Sequence, residues 1–215
     1  MKRSRQEFLR GPTADGEGLP HDHVPVYDAV RNLEGITRRI KERMGRMRGQ
    51  HMDKKEWGEG PWQDEPDKVE WRDPETELPC LIVRNGLGAL CGYVGIHRGH
   101  PWFAKGYSTC IEGCGPNRCE NSAHATPESL IKVHGGLTYS DFSSGEICHT
   151  ALPGETKVWW FGFDCAHAGD YVPGLALIPS VPVGGIYRSI GCVEGEVTHL
   201  AEQLAEVGRI RKSRR

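Results

Sequence analysis

The run Val158-Trp159-Trp160-Phe161-Gly162-Phe163 constrains this chain more than any other stretch. It is β-branched or aromatic on both alternating faces. A strand of that kind has no solvent side, so it reads as a fully buried strand. The run leads directly into Asp164-Cys165-Ala166-His167-Ala168-Gly169-Asp170. Two carboxylates, a thiol and an imidazole therefore sit at the end of a rigid core strand. The small residues between them let another group approach closely. A plain structural reading makes Asp164 a turn cap, His167 a satisfied half-buried histidine and Cys165 a small core residue. Convergent polar groups beside an apolar wall favour the reading as a site.

The chain has 215 residues and a formal net charge of −2. That implies one main domain with extensions and no general attraction to nucleic acid. The 28 glycines and 14 prolines suit a loop-rich fold with many turns. No apolar run approaches the roughly 20 residues that span a bilayer, so no membrane partner is expected. The basic start Met1-Lys2-Arg3-Ser4-Arg5 is followed by no apolar signal core. A cytoplasmic setting is the expectation, in which the eight cysteines serve as thiols or metal ligands rather than as a disulfide framework.

Residues 1–25 are rich in glycine, proline and charge and read as a disordered tail. Over 26–50 the stripe Val26, Val30, Leu33, Ile36, Ile40, Met44 and Met47 predicts an amphipathic helix with a basic opposite face. No aromatic residues interleave with those charges. Docking on the main domain or on a second copy, through 26–48, is therefore favoured over nucleic-acid binding. Residues 53–77 turn acidic, ten Asp and Glu against four Lys and Arg. Trp57, Trp62 and Trp71 read there as anchors of an extended segment, followed by a turn at Asp73-Pro74-Glu75-Thr76. Pro79 to Arg84 and Ala89 to Ile96, joined by Asn85-Gly86-Leu87-Gly88, predict a hairpin. Thr126 and Pro127 read as the cap and first residue of a helix, with Ser129 not completing a capping box. Val133 to Tyr139 predicts a strand interrupted by Gly135-Gly136. A second hairpin is expected between Glu146-Ile147-Cys148-His149 and the strand from 158, turning at Pro153-Gly154. Tyr187 to Val207 predicts the last helix, with Ile190, Val193, Val197, Leu200, Leu204 and Val207 on one face, before a frayed basic tail over 208–215. The fold expected is α+β: one domain over 56–207, with a small, mostly antiparallel sheet and the C-terminal helix packed on it. A long loop, clamped by metal, and an N-terminal helical extension complete it.

Two constellations can carry chemistry. Cys110, Cys114, Cys119 and His124 are spaced C-x3-C-x4-C-x4-H in the long loop, and thiolate and imidazole ligands at short spacing suit tetrahedral zinc. The alternative is a set of surface thiols. The second comprises His134, Thr138, Cys148, His149, Asp164, Cys165, His167 and Asp170. Asp beside His orients the ring and raises its basicity, as a general base requires, and two His with one or two Asp can also hold a metal. Gly135 and Gly136 would offer N–H groups to a phosphate or oxyanion. His100, from the loop His97 to Phe103, is expected near this cavity.

The strings Cys91-Gly92-Tyr93-Val94-Gly95, Gly99-His100-Pro101, Val133-His134-Gly135-Gly136-Leu137-Thr138, Trp159 to Asp170 and Tyr187-Arg188 together resemble a family of small proteins of tailed phages and prophages, especially of actinobacteria. The likeness covers roughly residues 56–207 and carries no activity with it. It implies a phage-type accessory protein in the bacterial host cytoplasm. Joined to the pocket residues, it gives the leading expectation: capture of a small nucleotide-like ligand, a host defence signal among the candidates, by His100, His134, Gly135, Gly136, Thr138, Asp164, Cys165, His167, Asp170 and Arg188. Two rivals stand beside it. One is a metal- or His/Asp-dependent hydrolase with His134, Asp164 and His167 as catalytic groups. The other is a structural zinc-bound module for protein interaction.

Overall fold

The structure, a computed structural model, describes residues 54–111, 125–150, 152, 157–178, 181 and 184–213. The expected tail over 1–25, the basic helix over 26–50 and the Pro153-Gly154 turn lie outside them. The described elements are strands β1 (Lys68–Arg72), β2 (Pro79–Arg84), β3 (Leu90–Ile96), β4 (Tyr139–Phe142) and β5 (Trp159–Asp164), a one-turn helix α1 (Pro127–Leu130) and the long helix α2 (Ile190–Ser213). The strands form one antiparallel sheet in the order β1-β2-β3-β5-β4, and α2 packs on it, so the fold is α+β as expected. Among the described residues no helix is long and apolar enough to cross a membrane.

The apolar run from 158 becomes β5, next to the centre of the sheet and buried on both faces. On one face Trp159, Phe161 and Phe163 join Ile82, Leu90, Val94 and Ile96 beneath Val193, Val197, Leu200, Ala201 and Leu204 of α2. The predicted stripe is thus the buried side of the helix. Gly92 lets α2 come this close. A Cβ there would stand 2.6 Å from both the Phe163 ring and a Val197 methyl. On the other face Trp160 joins Leu81, Val83, Cys91, Tyr93 and Val158. Residues 143–150 cross that face. Trp160 Nε1 donates to Ser143 Oγ at 2.9 Å, His149 meets the Trp160 ring edge-on, and Thr150 Oγ1 donates to Glu70 Oε1 at 2.6 Å on the far edge strand.

The β2–β3 hairpin forms as predicted. Asn85 Oδ1 accepts from the amides of Leu87 and Ala89, which closes the turn. The Asp73 turn also forms, with Asp73 Oδ1 accepting from the amides of Glu75 and Thr76. Trp57 and Trp62 are buried anchors, but part of the segment expected to be merely extended is edge strand β1, paired to β2. No strand runs through 133–138. Gly135 and Gly136 take φ values of 66° and 84°, a left-handed pair that turns the chain, and strand pairing starts at Tyr139. The neighbour of β5 on that side is therefore Tyr139–Phe142 rather than 146–149. Ser129 does complete a capping box. Its hydroxyl accepts from the Thr126 amide at 2.9 Å, while Thr126 Oγ1 accepts from the Ser129 amide. A hydroxyl can fill a role usually given to Glu or Gln. Helix α2 begins at Ile190, three residues later than predicted, because Tyr187 and Arg188 are used elsewhere. It continues to Ser213 instead of fraying at 208.

Candidate functional site

Beyond β5 the chain turns at His167-Ala168-Gly169 and runs beside residues 185–187. Asp170 and Ile186 form a parallel bridge, with Ile186 N donating to Gly169 O at 2.8 Å and Tyr171 N to Ile186 O at 3.0 Å. The contact requires glycine: a Cβ on Gly185 would lie 2.4 Å from Gly169 O. This crossing brings Asp170 to Arg188, which are separated by most of a Pro/Gly-rich loop in sequence. Side chains alternate along such a ribbon. Tyr171 and Tyr187 accordingly pack around buried Trp62, while Asp170 and Arg188 belong to the cluster described next.

Asp170 is the centre of the cluster, its side chain fully buried. Oδ1 accepts from Arg188 Nε at 2.9 Å; Oδ2 accepts from His134 Nε2 at 2.7 Å and from the His167 amide at 3.0 Å. Burial alone would raise this carboxyl, but the bonds from His134, Arg188 and the His167 amide outweigh it and hold it below the ordinary carboxylate range. The ion pair in turn raises the Arg188 guanidinium further. The backbone of His134 is tied to α2, its amide donating to Glu196 Oε2 at 2.9 Å. The two imidazoles meet edge to face with centroids 5.7 Å apart. Behind them Gly135 makes room for the His167 ring, since a Cβ there would fall 2.1 Å from His167 Cε1. His167 Nδ1 is buried without a hydrogen-bond partner, 3.9 Å from both Asp164 Oδ1 and Asp170 Oδ2. One ligand atom each from His134, His167 and Asp170 lies within 4.8 Å of the others, a group able to hold a metal ion.

Of the predicted residues, His134, His167, Asp170 and Arg188 come together. Asp164 stands at the margin, where Oδ2 accepts from Thr138 Oγ1 at 2.9 Å and Oδ1 from the Ala166 amide at 3.1 Å. It is a turn cap as well as a neighbour of His167. Five expectations are corrected. His100 is not in the cluster. Its Nε2 donates to Leu204 O at 2.8 Å and its Nδ1 accepts from the Trp102 amide at 3.1 Å. Leu204 lies eight residues beyond Glu196, about 12 Å along the helix. Cys165 is buried in the core under α2, and burial pushes its thiol far above its ordinary range, so it is a packing residue. The Gly136 amide is spent on Val133 O at 3.0 Å and is not free for an oxyanion. Cys148 and His149 lie with the segment over the opposite sheet face, Cys148 accepting from Lys68 and His149 against Trp160. Trp159, Trp160, Phe161 and Phe163 form core rather than pocket wall.

Of the predicted zinc ligands only Cys110 is described, half-buried; Cys114, Cys119 and His124 lie outside the described residues. The six described cysteines are all free thiols. The sequence reading missed Glu196. A lone acidic residue on the polar side of an amphipathic helix carries no signal that it will bind a distant turn. It also missed Glu65, which accepts from Ile190 N at 3.0 Å and from Tyr187 Oη, and pairs with buried Arg84 at 2.9 Å. Compared with protein-family models, with curated proteins and with solved structures, the chain matches none.

Proposed function

We propose that this protein holds a small, phosphate-bearing, nucleotide-like ligand at the cluster of His134, His167, Asp170 and Arg188. One observation carries the reading. Arg188 is fixed through Nε to Asp170 Oδ1, and its Nη groups have no other partner among the described residues while the side chain is one-third exposed. An anchored guanidinium fork of this kind matches the oxygens of a phosphate. Sequestration of a host defence signal, in the cytoplasm of a phage-infected cell, is a further step that rests on the phage resemblance alone.

The test is native mass spectrometry of protein purified from cells, followed by heat release of what it holds. The expected result is one nucleotide-sized ligand, returned intact, and absent from a folded Arg188→Ala variant. A ligand retained by that variant would overturn the reading.

A hydrolase is the second reading, favoured by the 2.7 Å contact between Asp170 Oδ2 and His134 Nε2. It fixes that ring and leaves Nδ1 to act as a base. Release of a cleaved product, abolished by His134→Ala while binding persists, would establish it in place of simple capture. The zinc-bound interaction module depends on Cys114→Ser lowering both the metal content and the melting temperature of the purified protein.

A further inference from the structure

The geometry points to a divalent first-row metal ion at this cluster, held by His134 Nε2, His167 Nδ1 and Asp170 Oδ2 and bridging to the anion. The inference rests on the reading of the cluster as an anion site and adds what makes that reading electrostatically workable. Around the two imidazoles stand three carboxylates, Asp164, Asp170 and Glu196, against one guanidinium, Arg188. With neutral imidazoles the group carries two surplus negative charges. A phosphate approaching Arg188 would meet that excess within a few ångströms. A divalent cation cancels it.

Three further observations support the ion. The ligand atoms already lie within 4.8 Å of one another, with His134 Nε2 2.7 Å and His167 Nδ1 3.9 Å from Asp170 Oδ2. Donors about 2.0–2.2 Å from an ion fit such a triangle after small shifts. His167 Nδ1 is a buried nitrogen with no hydrogen-bond partner, and a native structure rarely leaves such an atom unused. The supports of the ligands are also built in. Arg188 holds the other oxygen of Asp170, Glu196 holds the backbone of His134, and Gly135 seats the His167 ring. Orientation of ligands by such neighbours is typical of metal centres. On loading, the ion replaces the hydrogen between His134 Nε2 and Asp170, and the His134 ring carries its proton on Nδ1. Two imidazoles and one carboxylate leave positions open for phosphate oxygens or water, the donor set of zinc, manganese or iron sites.

The experiment uses the full chain. Metal content is measured after purification, then the chelated protein is titrated with Zn²⁺, Mn²⁺ and Co²⁺, and with adenosine monophosphate in the presence and absence of metal. One equivalent should bind at this site. His167→Ala and His167→Asn, each checked for a wild-type circular dichroism spectrum, should weaken it more than about tenfold, since loss of a mere supporting contact costs 10–100-fold. Arg188→Ala, which removes a support of Asp170, should weaken the metal less than the His167 variants do and should lose the nucleotide. The cobalt spectrum separates the cysteine-rich loop: ligation here gives no thiolate-to-cobalt charge-transfer band and survives Cys114→Ser. Nucleotide binding unchanged by chelation would overturn the inference and leave the anion site standing. Metal bound equally by both His167 variants, or only with a thiolate band, would also overturn it. Metal bound as stated without any nucleotide would uphold the ion and remove the anion reading.

Discussion

Gly135 and Gly136 look equivalent in sequence and are not. Both have left-handed φ, but an added Cβ meets the His167 ring at Gly135 and open space at Gly136. Gly136→Ala should therefore cost only backbone strain, about 1 kcal/mol. Gly135→Ala should additionally displace His167 and abolish ligand or metal binding; equal effects of the two variants on binding would show that the ring is not seated there. His100 makes the converse point. Its neutral form is fixed, Nε2–H on Leu204 and an Nδ1 lone pair on the Trp102 amide, and burial holds its pKa below the ordinary 6.5, against the raising effect of the Leu204 bond. The unfolded chain takes up the proton first as pH falls. Stability is thus full above about 6.5 and declines below it until the folded ring also titrates. His100→Gln should cost about 1–3 kcal/mol by orphaning the Trp102 amide and should remove that share of the acid sensitivity in urea melts across the range. The sequence showed that His134, His167, Asp170 and Arg188 were chemically able to converge. It gave no means of telling them from His100, because an imidazole that packs on a helix carbonyl is written with the same letter as one that faces a ligand.

At the scale of elements, whatever local periodicity determines was legible. The β2–β3 hairpin, the double-faced burial of β5 and the apolar stripe of α2 follow from alternation, turn chemistry and 3.6-residue spacing. What depended on remote partners was not. Strand β1 forms because β2 offers it an edge, and the chain at 133–138 turns because two glycines yield to the site. The start of α2 is another such case. Glu65, far away in sequence, accepts from the Ile190 amide and pairs with Arg84, so the helix begins where that carboxylate waits. Burial would raise the Glu65 carboxyl, but bonds from Tyr187, the Ile190 amide and Arg84 hold it below its ordinary 4.5. Its stabilisation is present above that value and lost as pH falls through the lower, folded one. Glu65→Gln should destabilise the protein by about 1–3 kcal/mol at neutral pH, and the gap from wild type should narrow in acid. Hydrogen exchange should quicken at the first turn of α2. A variant with wild-type exchange there would show that another group fixes the helix start.

Over the whole described unit, the two faces of the sheet are covered by different pieces of chain. Helix α2 covers one face. Residues 143–150 leave edge strand β4, cross the other face and reach the opposite edge strand through Thr150 and Glu70. The cluster draws on the turn at 133–136, the end of β5, the 185–188 segment and Glu196 of α2, so it exists only when these parts are docked together. Unfolding should accordingly be a single transition, although the two covers never touch through the sheet. Val197→Ala removes two buried methyl groups from the helix side, about 2 kcal/mol at roughly 0.8 kcal/mol per group with a cavity contribution. Trp160→Phe on the other side loses ring area and the Ser143 bond, about 1–2 kcal/mol. Their side chains lie on opposite faces, so in the double variant the losses should add to within about 0.5 kcal/mol. A stability of 5–15 kcal/mol, the usual range, leaves that double variant folded. Far-ultraviolet dichroism, which follows α2 and the sheet, and tryptophan fluorescence, which follows Trp160 among others, should give one midpoint in all four proteins. If Trp160→Phe instead splits off an early fluorescence transition while the helix signal keeps its midpoint, residues 143–150 are a separable cover. The cluster would then depend on α2 and β5 alone.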